Sequence, residues 1–164
     1  MSAKEGLRSF SYDGWHKGFY CDDDIVNSLS DIKYCDFFDD PADDEFPYYT
    51  AYTLLCGSCH IFALSLRKLL NYNAYIIEPK DKSGFHVFCQ IFKNGKWYYV
   101  DARGITTSFD EFINGVKIFV GDEFIIRPVS EDDINEWKAP DNYDDEAYEF
   151  AEAIIKKFKM YYTL

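Results

Sequence analysis

The spacing of apolar side chains predicts one long, largely buried helix near the middle of the chain. In residues 59–71 (CHIFALSLRKLLN), apolar side chains recur every three or four positions, the period of one face of an α-helix. Ser58 precedes this run and is a residue type preferred at the helix N-cap. The stripe is unusually wide, and we therefore expect this helix to be central and buried; its members are Phe62, Ala63, Leu66 and Leu70, flanked by Ile61, Leu64 and Leu69.

The segment after this helix has the pattern of β-strands. Residues 74–78 are apolar and end at Pro79, which predicts one strand. Residues 85–92 and 96–102 flank Asn94-Gly95, the strongest short signal for a two-residue hairpin turn. We therefore predict a strand followed by an antiparallel hairpin.

A two-residue turn determines which side chains of the hairpin face one another. The predicted pairs are Phe92 with Trp97, Gln90 with Tyr99, Phe88 with Asp101, and His86 with Arg103. Alternate residues return to the same face of a sheet, so His86 and Asp101 become diagonal neighbours with Cβ atoms roughly 7 Å apart or less. We expect Trp97 and Tyr99 to lie in the core. Cys89 alternates with His86 and is expected to be a core thiol on the other face.

Shorter patterns predict the remaining elements. Asp22–Asp24 followed by apolar residues up to Ile32 predicts an N-terminal helix with acids in its first turn. Capping boxes at Ser108-x-x-Glu111 and Ser130-x-x-Asp133 predict two short helices, the first closed by Gly115 and the second ending before Pro140. Three further ranges complete the prediction: a second hairpin of residues 116–120 and 123–129, turning at Gly121-Asp122, and a last helix at 142–162.

The order of these elements predicts an α+β fold with an antiparallel sheet. With 164 residues, no internal repeat and no linker-like segment, we expect a single domain covering residues 1–164. Its predicted parts are an acidic, aromatic N-terminal part (about 1–50), a core of chemical motifs (54–104) and the C-terminal helix (142–162).

Composition restricts the class of partner. Apolar residues make up 48% and aromatic residues 20% of the chain, enough for a sizeable core, so wholesale disorder is excluded. The net charge of −12 argues against binding nucleic acid or anionic membranes and favours a basic or neutral partner. Residues 36–45 carry six of the acids around Pro41, and we expect a solvated loop or a surface for a basic partner.

The five cysteines are expected to be thiols. They are Cys21, Cys35, Cys56, Cys59 and Cys89. An odd number, in a chain whose N-terminus lacks the apolar region of a signal peptide, argues against a disulfide framework. No apolar run approaches the ~20 residues of a membrane span. We therefore expect a cytoplasmic protein.

Cys59 has the strongest indication of chemical reactivity. It lies at the start of the predicted buried helix, where unpaired amides and the helix dipole favour an anion. Thiols in such positions can have pKa values lowered from about 8.5 to roughly 3.5–7.5. An Asp beside a His can orient the imidazole so that one ring nitrogen faces a thiol. Cys59, His86 and Asp101 are therefore the candidate catalytic residues.

Two segments resemble known cysteine enzymes. CGSCHIFALSL resembles the nucleophile helix of papain-like cysteine peptidases, in which the second Cys attacks and an aromatic residue follows three positions later; here these are Cys59 and Phe62. HVFCQIFKNGKWYYVDARG resembles the transglutaminase-like branch, with a strand His, a turn Gly, a Trp and a strand-ending Asp in that order. The spacing of 27 residues from position 59 to 86 and 15 from 86 to 101 fits that branch better than papain. The resemblance covers about residues 54–104.

The resemblance implies a papain-like or transglutaminase-like α+β fold with a central nucleophile helix packed on the sheet. It implies Cys59 as nucleophile, His86 as base and later acid, and Asp101 as the orienting group. The reaction would be acyl transfer through a thioester on an amide of a protein or peptide, as cysteine peptidase, deamidase or transferase, with no metal or organic cofactor. The chain departs from papain at Thr53, where the peptidases have the oxyanion Gln, and at His60, where they have Trp. It also lacks a calcium-ligand run like that of large transglutaminases.

Three other interpretations remain open. Cys56-x-x-Cys59 before a helix also occurs in thiol–disulfide oxidoreductases, and His86-x-x-Cys89 adds zinc-ligand types. An acidic, aromatic chain can instead be a non-catalytic module that binds a basic partner. For the neighbours of the site, we expect a capping or surface role for His60, and for Arg103 either an ion pair with nearby acids or contact with a substrate carbonyl or carboxylate.

Overall fold

The computed structural model describes residues 54–55, 57–141 and 145–164. The predicted helix at 22–32 and the acidic segment 36–45 lie outside these residues. So do Cys21, Cys35, Thr53 and Cys56.

The described residues form an α+β fold with a five-stranded antiparallel sheet. Its order is β4-β3-β2-β1-β5. The strands are β1 (Asn73–Pro79), β2 (His86–Lys93), β3 (Lys96–Asp101), β4 (Gly104–Thr106) and β5 (Phe124–Pro128). The helices are α1 (Cys59–Leu70), α2 (Phe109–Val120), α3 (Glu131–Trp137), α4 (Asp145–Lys157) and α5 (Lys159–Tyr162). The predicted α+β class and antiparallel sheet are confirmed. No helix in these ranges is long and apolar enough to cross a membrane.

The β2–β3 hairpin forms as predicted near its turn. Asn94 and Gly95 have φ values of 53° and 75°, as a two-residue turn with left-handed central positions requires. Phe92 pairs with Trp97 and Gln90 with Tyr99, which confirms the predicted register.

The hairpin pairing ends earlier than predicted. Its last pair is Cys89 with Val100, and the predicted pairs of Phe88 with Asp101 and of His86 with Arg103 do not form. The reason is that β3 ends at Asp101, where the chain turns back so that Asp101 pairs with Gly104 of β4. The start of β2 is therefore left without a β3 partner.

The second predicted hairpin is wrong. Residues 116–120 continue α2, which runs past Gly115 to Val120, and β5 pairs with β1 instead. The buried residues Phe112, Val116 and Val120 lie four positions apart, which is the spacing of one helix face. The short apolar run 116–120 is compatible with a strand or a helix. It forms a helix because this face of α2 packs on the sheet. The N-cap of α2 is as predicted: the Ser108 hydroxyl accepts from Glu111 N–H.

Of two further helix predictions, one is right and one is partly right. The capping box at Ser130 and Asp133 opens α3 as predicted. The predicted helix 142–162 is two helices, because α4 ends at Lys157 and α5 begins at Lys159. The side chain of Phe158, between them, is buried in the core.

The sheet carries a core on each face. On one face, α1 lies on β1, β2 and β3 and α4 packs against α1, which confirms the prediction that α1 is central and buried; this core includes Phe62, Leu66, Val87, Cys89, Val100 and Phe150. On the other face, α2 covers Ile77 and Phe88. The expectation that Trp97 lies in the core is wrong, because this side chain is 45% exposed and contacts Phe92 near the turn. Tyr99 is half-buried and packs on Phe112.

Helix α5 is attached to the turn after β3 by a buried hydrogen bond. The Tyr162 side chain is fully buried, and its hydroxyl donates to the Ala102 carbonyl over 3.0 Å. Ala102 lies between Asp101 and Arg103, so this bond supports the backbone of the site described below.

We predict that Tyr162→Phe lowers the free energy of unfolding by about 1–3 kcal/mol, because the buried Ala102 carbonyl loses its donor. Urea unfolding followed by circular dichroism measures this change. Tyr98→Phe is the control, since Tyr98 is half-buried and its hydroxyl has no hydrogen bond among the described residues. Equal midpoints for the two variants would contradict the prediction.

Candidate active site

The thiol of Cys59 lies at the first residue of α1 and is almost fully buried, with 5% of the residue exposed. Ser58 is the N-cap residue, as predicted, but its side chain makes no capping hydrogen bond. The first amides of a helix have no acceptor within the helix. Because the Ser58 side chain accepts from none of these amides, the start of α1 keeps its tendency to stabilise an anion.

The sulfur of Cys59 lies beside the start of β2. The N–H of Val87 donates to Cys59 Sγ over 3.4 Å. Val87 lies before Cys89, the residue at which β2–β3 pairing ends. Because β3 ends its pairing with β2 early, the amide of Val87 is left to bind the sulfur of Cys59. Val87 directly follows His86 in the chain.

His86 is fully buried and hydrogen-bonded to Asp101. The distance from His86 Nε2 to Asp101 Oδ2 is 3.0 Å, so the predicted proximity of these two residues is confirmed. The imidazole also packs against Phe88, Phe112 and Phe119, with ring centroids 6.1–6.3 Å apart. Both the position and the orientation of the ring are therefore fixed.

The second ring nitrogen of His86 remains for the thiol. His86 Nδ1 is buried and has no partner of hydrogen-bond geometry within the described ranges. The imidazole and the Cys59 thiol are nevertheless close enough to shift each other's pKa. Catalytic hydrogen bonds are often long in the absence of substrate and tighten when it binds. The arrangement is a carboxylate, an imidazole and a thiol in sequence.

Asp101 is held by a buried guanidinium. Its Oδ1 accepts from the backbone N–H of Arg103 (2.9 Å) and from Arg103 Nε (3.0 Å), and its Oδ2 accepts from Arg103 Nη2 (2.6 Å). Burial raises the pKa of Asp101, but the charge of Arg103 and the hydrogen bonds from His86 and Arg103 outweigh it and hold the pKa well below its usual range. Asp101 is therefore a fixed anion. Of the two predicted roles for Arg103, the structure shows the ion pair.

Burial and the two nearby histidines shift the pKa of the Cys59 thiol in opposite directions. Burial raises the pKa of the Cys59 thiol, but interactions with His60, His86 and the Val87 amide lower it more, to about 6. Burial lowers the pKa of His86, while Asp101 and the Cys59 thiolate raise it more, to about 8. Between these two values the site holds a thiolate beside an imidazolium.

His60 lies closer to the thiol than the sequence suggested. Adjacent helical residues do not face each other, which is why we expected only a capping or surface role. In the structure, His60 lies close enough to the Cys59 thiol to lower its pKa, and its ring packs on Trp137 with centroids 5.2 Å apart. At the first turn of a helix, no preceding turn separates neighbouring side chains. The sequence feature that could have indicated this contact is that His60 directly follows Cys59, the first residue of α1.

Cys89 is a core thiol, as predicted. Its sulfur donates to the Ala63 carbonyl of α1 over 3.4 Å, and burial raises its pKa well above the usual range. Cys89 belongs to the core on the α1 face, whereas His86 packs on aromatic rings of the α2 face. The two zinc-ligand types on β2 therefore point in different directions. Within the described ranges, no group of three metal-ligating side chains is found.

Comparison of the chain with protein-family models, with curated proteins and with solved structures finds no match in any of the three.

We predict that iodoacetamide labels Cys59 with a pH midpoint near 6, because the thiolate and not the thiol reacts. The midpoint is a better measure than the rate at one pH, since a thiolate of low pKa is also intrinsically less nucleophilic. Peptide mapping by mass spectrometry separates Cys59 from the other cysteines.

Two controls accompany this measurement. Cys89 is the matched internal control and should stay unlabelled up to pH 9, since burial raises its pKa. In His86→Ala, the midpoint for Cys59 should move toward the value of about 8.5 that is typical of a free thiol. A wild-type midpoint near 8.5 would contradict the assigned electrostatics.

Proposed function

We propose that this chain is a thiol enzyme that acts on amide bonds of a protein or peptide through Cys59, His86 and Asp101. Its reaction is peptide cleavage, deamidation or acyl transfer by way of a thioester, and its architecture is of the transglutaminase-like or papain-like kind. The observation that carries the proposal is the placement of one imidazole, with Nε2 bonded to Asp101 and Nδ1 left for a thiol of lowered pKa.

The chemistry follows from the charges of the site. The Cys59 thiolate attacks the amide carbonyl carbon and forms a C–S bond, while the carbonyl electrons move to the oxygen. As the C–N bond breaks, the imidazolium of His86 donates its Nδ1 proton to the leaving amine. The neutral imidazole then takes a proton from water, or from an acceptor amine, as that molecule attacks the thioester. The departing thiolate regenerates the starting state.

The role of Asp101 is to hold the imidazole. It accepts from Nε2, which leaves Nδ1 as the nitrogen that exchanges protons with the thiol and the substrate. Because the pKa of Asp101 lies well below its usual range, the carboxylate stays charged through the whole cycle. This supports an orienting and stabilising function, with proton transfer left to His86.

The start of α1 supports stabilisation of the oxyanion. The N–H of Cys59 belongs to the first turn, where amides have no acceptor within the helix, and Ser58 makes no side-chain cap. An amide in this position can donate to the oxygen on which negative charge develops in the transition state. The Gln that supplies the second donor in papain-type peptidases is replaced by Thr53.

The substrate is an uncharged amide group within a basic or neutral polypeptide. The net charge of −12 favours approach of such a partner over an acidic one. We favour hydrolysis over transfer because water is always present as acceptor. The reaction as written needs no metal or organic cofactor.

We predict that p-nitrophenyl acetate gives a burst of p-nitrophenol together with an intact-mass increase of one acetyl group, mapped to Cys59. Cys59→Ala should remove the burst, and His86→Ala should lower its rate by about 10³-fold or more, as expected for members of a catalytic unit. Cys89→Ala is the matched control, because it removes a thiol on the face of β2 opposite the His86 ring and should keep the burst.

The same proteins are then incubated with a mixture of basic and neutral peptides. Mass spectrometry distinguishes cleavage, the +1 Da shift of deamidation and covalent linkage of two peptides. If wild-type protein forms no acyl-enzyme at Cys59, or if Cys59→Ala behaves like wild type, the proposal is wrong. The acidic binding module then becomes the better explanation.

A further inference from the structure

Gly115 occupies an unusual position in the middle of α2. Glycine is the poorest helix former after proline, and its place in the sequence predicted the end of this helix. In the structure α2 continues for five residues beyond it, to Val120. A Cβ added at Gly115 would overlap Nη1 of the Arg103 side chain, and would lie 2.9 Å from Cζ of the same side chain.

Arg103 fills the space against this glycine and is fully buried. Its guanidinium binds both carboxylate oxygens of Asp101 on one side. On the other side, Nη1 and Nη2 donate to the Phe112 carbonyl of α2 over 3.3 and 3.2 Å, and Cζ lies 5.2 Å from the Phe112 ring centroid. The guanidinium therefore connects helix α2 to the carboxylate that holds His86.

We propose that Arg103 is a positioning residue for the Cys59–His86–Asp101 site, and that Gly115 is required in α2 to admit its guanidinium. This inference rests on the proposed function, since it concerns how the same three residues are held. Neither residue touches the substrate. Both act through Asp101, and Gly115 acts through Arg103.

The physical reason is the shape of the guanidinium. A carboxylate rotates about its single bond and, when buried without a partner, tends to take up a proton. The planar fork of Arg103 engages both oxygens, which keeps Asp101 charged and leaves Oδ2 directed at His86 Nε2. Lysine supplies a charge but no fork and therefore cannot fix the plane of the carboxylate.

The charges around the site also balance. Asp101 and the Cys59 thiolate are the two anions, and Arg103 and the His86 imidazolium are the two cations, all almost fully buried. Among the described residues, His60 is the other titratable group that lowers the pKa of Cys59, and Asp101 raises the pKa of Cys89, across β2, less than burial does. Removal of Arg103 leaves a net negative charge in a site with little access to water, which disfavours a second anion at Cys59.

The test measures the pH midpoint of Cys59 alkylation in four variants of the full chain. We expect Arg103→Met to move the midpoint upward by one pH unit or more, and Arg103→Lys to restore only part of this shift. We expect Gly115→Ala to shift the midpoint in the same direction, although alanine favours the helix. Asn114→Ala, an exposed neighbour on α2, is the matched control and should behave like wild type.

The outcomes separate this inference from the proposed function. If the pH midpoint of Cys59 alkylation in the wild-type protein is near 8.5, the proposed function is wrong, whatever the variants show. A low wild-type midpoint that stays unchanged in folded Arg103→Met and Gly115→Ala overturns the inference and leaves the proposed function standing. If Arg103→Met does not fold by circular dichroism, Gly115→Ala decides, because it adds one methyl group and removes no charge.

Discussion

The buried carboxylate of Asp101 is the group on which the rest of the site depends. It lies between a guanidinium and an imidazole, and its hydrogen bond to Nε2 orients His86. A charge in this position is tolerated only when its hydrogen bonds are satisfied, so the turn after β3 must supply donors from its own backbone and from Arg103. The short β3 strand and the tight return into β4 are the structural conditions for this. A hairpin that continued in register would have placed Arg103 opposite His86, away from the carboxylate.

The position of the thiol follows from the same departure of β3. Cys59 belongs to the core between α1 and the sheet, whereas the His86 ring packs on the aromatic residues of α2. These two groups come from different faces of the sheet, and they meet because β2 has no β3 partner at its first residues. The free Val87 amide then binds the sulfur. A fully paired strand would have used this amide in the ladder and separated the thiol from the imidazole.

The sequence predicted those parts of the site that depend on hydrophobic periodicity and turn residues. The buried helix α1, the Asn94-Gly95 turn with its register, and the proximity of His86 to Asp101 follow from periodicity and turn chemistry. The sequence could not show where β3 leaves β2, because the end of β3 depends on the burial of Arg103 against α2, and this tertiary contact has no local signal. Nor could it distinguish a strand from a helix at residues 116–120, since Gly115 is a helix breaker by propensity but is needed here by Arg103. The effect of His60 on the pKa of the Cys59 thiol was missed because we applied the rule that adjacent residues in a helix do not face each other. That rule describes helix interiors, and Cys59 and His60 are the first two residues of α1.

The separation of the sheet's two cores has a consequence for molecules that are not completely folded. The sulfur is anchored on one side of the sheet and its activating ring on the other, so neither layer alone generates a reactive cysteine. A newly synthesised, partly assembled or damaged copy carries a chemically ordinary thiol with the acidity of any free cysteine. The lowered pKa of Cys59 is therefore a property of the completed tertiary structure, in which both layers have closed on the strands.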